Sequence, residues 1–319
     1  MVDLSVSLLG SRLRHPVLNA SGTFDALVAS RTMDRDYVRE IPFSAYVPKT
    51  VTLEARRGNP PPRVTETPCG MINAIGLENP GLERFLEELP QLAALPVPVL
   101  ISVGGARPTD YAAVVGGAEE ALAATPPSMP AILGYEINVS CPNVATGLST
   151  GADARATAAL VGELRPLTRR ALVVKLTPNV TAVAPIAAAA EEAGADGISL
   201  INTIKALVLD PVTLRPFLGN TFGGLCGPAI KPIALRMVAE VAAAVSVPVI
   251  GMGGILGGLD VLEFVACGAT AVAVGAATFA DTGAAERIVN ELAQEMSARG
   301  IRNLAEIRGC AFDDPRSRS

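Results

Sequence analysis

The chain has little with which to build a metal centre or a disulfide framework. Its 319 residues include one histidine, His15, and five cysteines, Cys69, Cys141, Cys226, Cys267 and Cys310. An odd cysteine count with no C-x-x-C pair speaks against a disulfide scaffold, a zinc site and an iron–sulfur cluster, so no metal site is expected. A broad positive field is missing as well. Lys and Arg number 26 against 31 Asp and Glu, a net charge of −5, which gives nucleic acid nothing to hold. Arg57 and Arg63 in "EARRGNPPPRV" form only a local basic patch. The uncharged run Val241–Leu259 spans 19 residues but contains Pro248 and five glycines, which interrupt a helix and suit a strand followed by a turn. The N-terminal "MVDLSVSLLGSRLRHP" turns too early for a signal-peptide core. The expected compartment is the cytoplasm, with no membrane and no nucleic-acid partner.

What the chain does have is apolar residues in quantity. Half of them are hydrophobic, and the mean hydropathy is +0.39, enough for one large core. Eight short apolar runs stand out: "PVLNAS" (16–21), "SAYVPK" (44–49), "PVLISV" (98–103), "GYEINV" (134–139), "LVVKL" (172–176), "GISLIN" (197–202), "PVIGMG" (248–253) and "AVAVGA" (271–276). Helix-like intervals at 153–170, 182–193, 229–245 and 283–299 fall between or after them. "EEAGADGISL" and "VACGATAVAV" echo each other as helix, glycine and buried strand, with the glycine suited to a left-handed helix end. This alternation predicts an α/β chain folded as a single (β/α)₈ TIM barrel over residues 1–319, with residues from about 305 to 319 as a poorly ordered tail. An open doubly wound sheet is the competing architecture. The long stretch after the second run and "LVLDPVTLRPFLGNTFGGLCG" after the sixth exceed a minimal barrel. They are read as a functional loop and an inserted β-ribbon, both at the C-terminal face of the strands.

Active sites of such barrels lie where the strands end. At or one residue before the end of each run stand, in order, Ser21, Lys49, Ser102, Asn138, Lys175, Asn202, Gly253 and Gly275, six polar residues and two glycines. Buried strands ending in polar groups signal a ligand. His15 lies at the opposite end and reads as structural. "GMGGILGG" and "VGA", after the seventh and eighth runs, supply Gly251, Gly253, Gly254, Gly275 and Ala276, small residues suited to a phosphate held by backbone N–H groups. Lys49 and Lys175, within apolar runs, call for an anionic partner. They are either cations for an anionic ligand or, in the case of Lys175, a Schiff-base amine. Asn73, Asn138, Asn143, Asn179 and Asn202 each present a donor and an acceptor, a pairing suited to an amide-containing ring. Cys141 follows a strand directly, beside Pro142, and can serve as a proton acceptor or a nucleophile. "ATGLSTGAD" beyond it suits a closing lid.

Taken in order, "KTVTLEARRGNPPPRVTETPCGMINAIGLENPG", "INVSCPNV", "VKLTPNV", "INT", "GGLCGPAIKPIALRMV", "IGMGGI" and "AVAVG" resemble the dihydroorotate dehydrogenases over about residues 3 to 280. The combination "NVSCPN" with "GPAIKP" is most similar to the soluble class 1 catalytic subunit of NAD-linked (1B) enzymes. The resemblance implies oxidation of (S)-dihydroorotate to orotate by FMN in pyrimidine biosynthesis. It implies Cys141 and Lys175 as catalytic residues, with Cys141 the base for the C5 proton. It places Lys49, Asn73, Ala74, Ile75, Gly76, Leu77, Asn138, Asn143, Asn202 and Thr203 around the substrate. Ser21, Lys49, Thr50, Ser102, Asn138, Lys175, Ile201, Gly227, Gly253, Gly254, Gly275 and Ala276 would hold FMN. The partners implied are a homodimeric second copy and an electron-transfer subunit carrying FAD and a 2Fe-2S cluster. The alternatives are a related dihydropyrimidine oxidoreductase, a fumarate-using dihydroorotate dehydrogenase and, of a different class, a Schiff-base barrel aldolase. Cys69, Ser102, Lys205, Cys226 and Ala276 depart from the usual family residues.

Overall fold

The computed structural model describes residues 2–33, 35–124, 132–140 and 150–312. A hairpin opens the chain, β1 (Val6–Leu8) paired antiparallel with β2 (Ser11–Leu13). The first barrel strand is β3 (Val17–Asn19). A second antiparallel pair follows, β4 (Val64–Thr67) with β5 (Gly70–Asn73). Then come the barrel strands β6 (Val99–Val103), β7 (Ile132–Asn138), β8 (Ala171–Lys175) and β9 (Gly197–Leu200). The ribbon β10 (Ile204–Leu207) and β11 (Phe222–Cys226) precedes the last two barrel strands, β12 (Val249–Met252) and β13 (Ala271–Val274).

Seven strands form one parallel sheet in the order β3-β13-β12-β9-β8-β7-β6. Residues 44–47, part of the run 44–49 expected as the second strand, close the circle without a regular ladder. Ser44 N donates to Val17 O at 3.0 Å on one side, and Tyr46 N donates to Pro98 O at 2.8 Å on the other. Where the backbone ladder fails, the side chain of fully buried Asn19 replaces it. Its Nδ2 donates to Val47 O at 2.7 Å and its Oδ1 accepts from Val47 N at 2.9 Å. The eight runs therefore make a closed barrel, the second of them as a seam of isolated backbone hydrogen bonds completed by one carboxamide.

The inside of a strand recurs every second residue. Leu18, Ala45, Val47, Leu100, Val173, Ile250, Met252, Ala271 and Ala273 fill the barrel, and Leu8 and Leu13 of the hairpin pack against the same cluster. Burying each Leu, Val or Ile there contributes roughly 1.5–3 kcal/mol. A second, larger cluster lies between the strands and the helices, which include Gly81–Ala93, Pro108–Ala123, Ala154–Leu164, Lys231–Ala242 and Ala284–Ala298. Gly194 and Gly268, the two echoed glycines, both hold φ +105 just after a helix. In Gly268 a Cβ would also come within 2.5 Å of Ala242.

Three expectations need correction. Most strands stop short of the runs that predicted them: β3 ends at Asn19, β9 at Leu200 and β12 at Met252, so Ser21, Asn202 and Gly253 stand in the loops just beyond. The long stretch after the second run is more than loop, because its hairpin joins the ribbon in a four-stranded sheet, β10-β11-β5-β4. Finally, of the tail expected from about 305 to 319, the stretch 305–312 is not loose, and 313–319 lie outside the described residues. Gly309 N donates to Val265 O at 3.0 Å, and short turns at Leu304–Glu306 and Cys310–Phe312 fold it back.

Candidate active site

One step along each strand from the apolar filling, half of the barrel interior turns polar. Leu100 gives way to Ser102, Gly134 to Glu136 and then Asn138, Val173 to Lys175, and Gly197 to Ser199. On β12 and β13 the interior stays apolar, with Met252 and Ala273. The register sets Ser102 beside Glu136, Asn138 beside Lys175, and Lys175 beside Ser199. The floor of the mouth therefore has a polar and an apolar side.

The polar side is one connected network. Glu136, 2% exposed, accepts from Ser102 Oγ at 3.3 Å, from Ser199 Oγ at 3.0 Å and from Lys175 Nζ at 3.4 Å. Ser102 Oγ lies 2.9 Å from Thr50 Oγ1, which lies 3.2 Å from Ser21 Oγ. Ser21 in turn donates to Pro48 O at 2.8 Å. A carboxylate and an ammonium this deep persist only because each supplies the other's countercharge and hydroxyls satisfy what remains. Lys49 reaches the same neighbourhood, with its Nζ 2.9 Å from where a Cβ on Gly22 would stand. Gly22 has φ +77, so a side chain there would meet both strain and the lysine.

The glycine loops after β12 and β13 border the apolar side. Gly253 and Gly254 have φ of +125 and +77. A Cβ on Gly253 would come within 3.3 Å of Ile201. One on Gly254 would approach Lys231 N at 2.9 Å and Gly227 O at 3.0 Å. Lys231 is held in turn by Asp260 at 2.6 Å and Glu263 at 2.7 Å. Asp260 also accepts from Leu256 N and Gly257 N, which anchors the loop. Gly275 packs near Ala20 and Thr23, and Ala276 leads into the short helix Ala277–Ala280.

The four-stranded sheet contributes a third wall. Asn73 Nδ2 donates to Gly224 O at 3.4 Å, and the Gly224 Cβ position lies 1.9 Å from Thr203 Oγ1, so Asn73 and Thr203 meet over a residue without a side chain. Asn202 Oδ1 accepts from Thr203 N at 2.8 Å. Asn179 accepts from Lys205 N and donates to Thr203 O, bracing the start of the ribbon. Ala74, Ile75 and Gly76 wrap around Asn59, whose N–H donates to Ile75 O and whose amide donates to Ala74 O. The methyl ends of Leu77 and Thr50 both approach Gly104, which brings that loop back over the network. Burial pushes the Cys226 thiol up from its ordinary value, against a smaller opposing effect of the Asn73 hydrogen bond.

Residues 3–296 match the family model described as dihydroorotate dehydrogenase. The chain belongs to the dihydroorotate dehydrogenase family. It is 46% identical over 312 residues, covering 97% of this chain and 98% of the relative, to "Dihydroorotate dehydrogenase B (NAD(+)), catalytic subunit" of Desulforudis audaxviator. A protein of the same description from Pelobacter propionicus is 42% identical over 309 residues, covering 96% and 98%. Among solved structures, a dihydroorotate dehydrogenase from Eimeria tenella in complex with ferulenol superposes with a TM-score of 0.79. It covers 98% of this chain and 89% of that one, at 22% identity, a likeness of fold.

In this dihydroorotate dehydrogenase-family chain, the mouth brings together several of the residues that the sequence pointed to. Ser21, Thr50, Ser102 and Lys175 share one network, Asn138 adjoins it, and Gly227, Gly253, Gly254 and Ile201 form one cradle. Cys141 and Asn143 lie outside the described residues. Glu136 and Ser199 were missed, although an acid inside the apolar run "GYEINV" was a visible signal. The residues present suit FMN: Gly254 lets its loop pack backbone to backbone against Gly227 and Lys231, where a Cβ would clash, and a cation stands beside hydroxyls on the polar floor.

Proposed function

We propose that this chain oxidises (S)-dihydroorotate to orotate, with FMN as its bound cofactor, in the de novo synthesis of pyrimidines. The observation that carries the proposal is the half-polar, half-apolar floor with Lys175 buried in it, beside the glycine loops that follow β12 and β13. FMN, when bound, accepts the hydride from C6 of the substrate. The chain's own residues do the rest. Gly227, Gly253, Gly254, Gly275 and Ala276 hold the phosphate end, and Ser21, Thr50, Ser102, Ile201, Lys49, Asn138 and Lys175 hold the ring. Lys175 stabilises the negative charge that reduction brings. Asn73, Ala74, Ile75, Gly76, Leu77, Asn138, Asn143, Asn202 and Thr203, with Lys49, orient the substrate. Cys141 takes the C5 proton.

The electrons pass to NAD through a second subunit carrying FAD and a 2Fe-2S cluster. Support comes from the relatives, which are named catalytic subunits of NAD(+) enzymes. Cys69, Cys226, Cys267 and Cys310 are free thiols here. The assembly contains two copies of this chain, for which the ribbon offers an apolar face: Leu207, Leu209, Val212, Leu214 and Phe222 are exposed, Val212 at 87%. The compartment is the cytoplasm. Among the described residues no helix is long and apolar enough to cross a membrane.

The test is anaerobic mixing of the FMN-loaded chain with dihydroorotate. The flavin band bleaches in the native chain, while Cys141→Ala keeps the flavin but bleaches at least a hundredfold more slowly, a roughly hundredfold general-base contribution. A chain that cannot be loaded with FMN, or a Cys141→Ala variant reduced at the native rate, refutes this assignment.

A further inference from the structure

We propose that Glu136 is a positioning residue that sets, through its ion pair with Lys175, how much positive charge the barrel floor presents to the cofactor. The inference rests on the FMN reading above and extends it to a residue that the reading does not use.

Space filling does not call for an acid at this point. On the opposite side of the same barrel, β12 and β13 fill the interior with Met252 and Ala273 and without charge. A buried ion pair is commonly no more stabilising than apolar residues of similar volume. The carboxylate is also shared unevenly. Ser199 Oγ sits at 3.0 Å, while Lys175 Nζ sits at 3.4 Å on the oxygen that Ser102 also approaches at 3.3 Å. An ammonium carries three donors; among the described residues Glu136 engages one of them, and loosely. The lysine is thus compensated in charge without being fully committed in hydrogen bonds, an arrangement that fixes its position and leaves donors for a group above it. The hydroxyl chain Ser102–Thr50–Ser21 carries the contact of Glu136 along the same wall. Removing the negative charge while keeping the acceptor shape leaves Lys175 as an uncompensated cation, and a reduced, anionic flavin gains from that.

The experiment measures the midpoint potential of the bound flavin by dye equilibration, followed by absorbance, together with the melting temperature of each loaded variant. With a unit charge about 10 Å away and an effective dielectric of about 20, Glu136→Gln shifts the reduced-to-oxidised ratio about tenfold toward reduced, about 30 mV for a two-electron couple. Glu136→Asp keeps the charge but draws it back from Lys175, and shifts the ratio two- to threefold in the same direction. In a Lys175→Gln background the Glu136→Gln effect falls below twofold, because the cation through which Glu136 acts is gone. An unshifted potential in Glu136→Gln, equal shifts in the Gln and Asp variants, or a tenfold effect that persists without Lys175 would each overturn the inference. If Glu136→Gln does not hold flavin, Glu136→Asp decides alone, and a potential unchanged or moved toward oxidised refutes it. Failure of the functional reading looks different, since the native chain then holds no reducible FMN at all.

Discussion

Replacing Asn19 with alanine tests whether one side chain holds the barrel closed. Asn19 is fully buried, and its carboxamide satisfies both the N–H and the C=O of Val47 at 2.9 and 2.7 Å. Alanine leaves both groups without a partner in a place closed to water. Each buried orphan costs about 1–3 kcal/mol, so the pair costs about 4 kcal/mol. That is a large share of the 5–15 kcal/mol that typically separates folded from unfolded chains. Asn19→Leu discriminates between explanations, because it restores the volume but neither hydrogen bond. If the seam is held by hydrogen bonding, the Ala and Leu variants lose similar stability in urea denaturation, with a lower midpoint and an unchanged slope. Lys49 and Thr50 follow the seam directly, so both variants also retain less FMN. A Leu variant close to the native midpoint, or an Ala variant that loses less than about 1 kcal/mol, refutes the reasoning.

Further outcomes follow from other sites. Burial, with a smaller contribution from Arg14, lowers His15 from 6.5 to about 4. The unfolded chain therefore binds this proton first. The contribution of the neutral imidazole is complete above pH 6.5 and is lost as pH falls toward 4, about 3 kcal/mol in all. Denaturation midpoints from pH 7 to pH 4 should show the loss in the native chain and a flatter profile in His15→Gln. Gly254→Ala meets both φ +77 and Lys231, with a cost of roughly 1–2 kcal/mol. It should weaken FMN binding about tenfold in a titration while dihydroorotate reduces the loaded fraction at the native rate. Gly224→Ala displaces Thr203. Steady-state assays should show a KM for dihydroorotate raised about tenfold and FMN affinity within twofold of native.

Much of the barrel was legible because eight apolar runs separated by amphipathic intervals leave few alternatives. The seam was not: an asparagine in "PVLNAS" looks like any strand-end polar residue until its partner, 28 positions later, is brought alongside. The union of the expected ribbon, β10 and β11, with β4 and β5 was hidden for a similar reason. The strands are short, with glycine in β5 and β11 and threonine in β4, and their register joins Asn73 to Gly224, far apart in sequence. A charge in an apolar run and closely spaced glycines carry their own signal, and the structure gives Lys175 a place in the buried network and Gly253 and Gly254 a positive φ. Glu136 carries that signal too, but the asparagine and cysteine after it drew the reading toward the strand end. What the family resemblance adds, the roles of Cys141 and Asn143 above all, concerns chemistry that spacing alone leaves open.

The four-stranded sheet ties together two excursions that leave the barrel after different strands. Neither can be trimmed or exchanged alone, because each supplies the hydrogen-bonding edge of the other. Any attempt to graft a new substrate preference onto this scaffold must therefore move residues 64–73 and 204–226 as a single cassette. Natural drift in one of them will be answered by compensating change in the other.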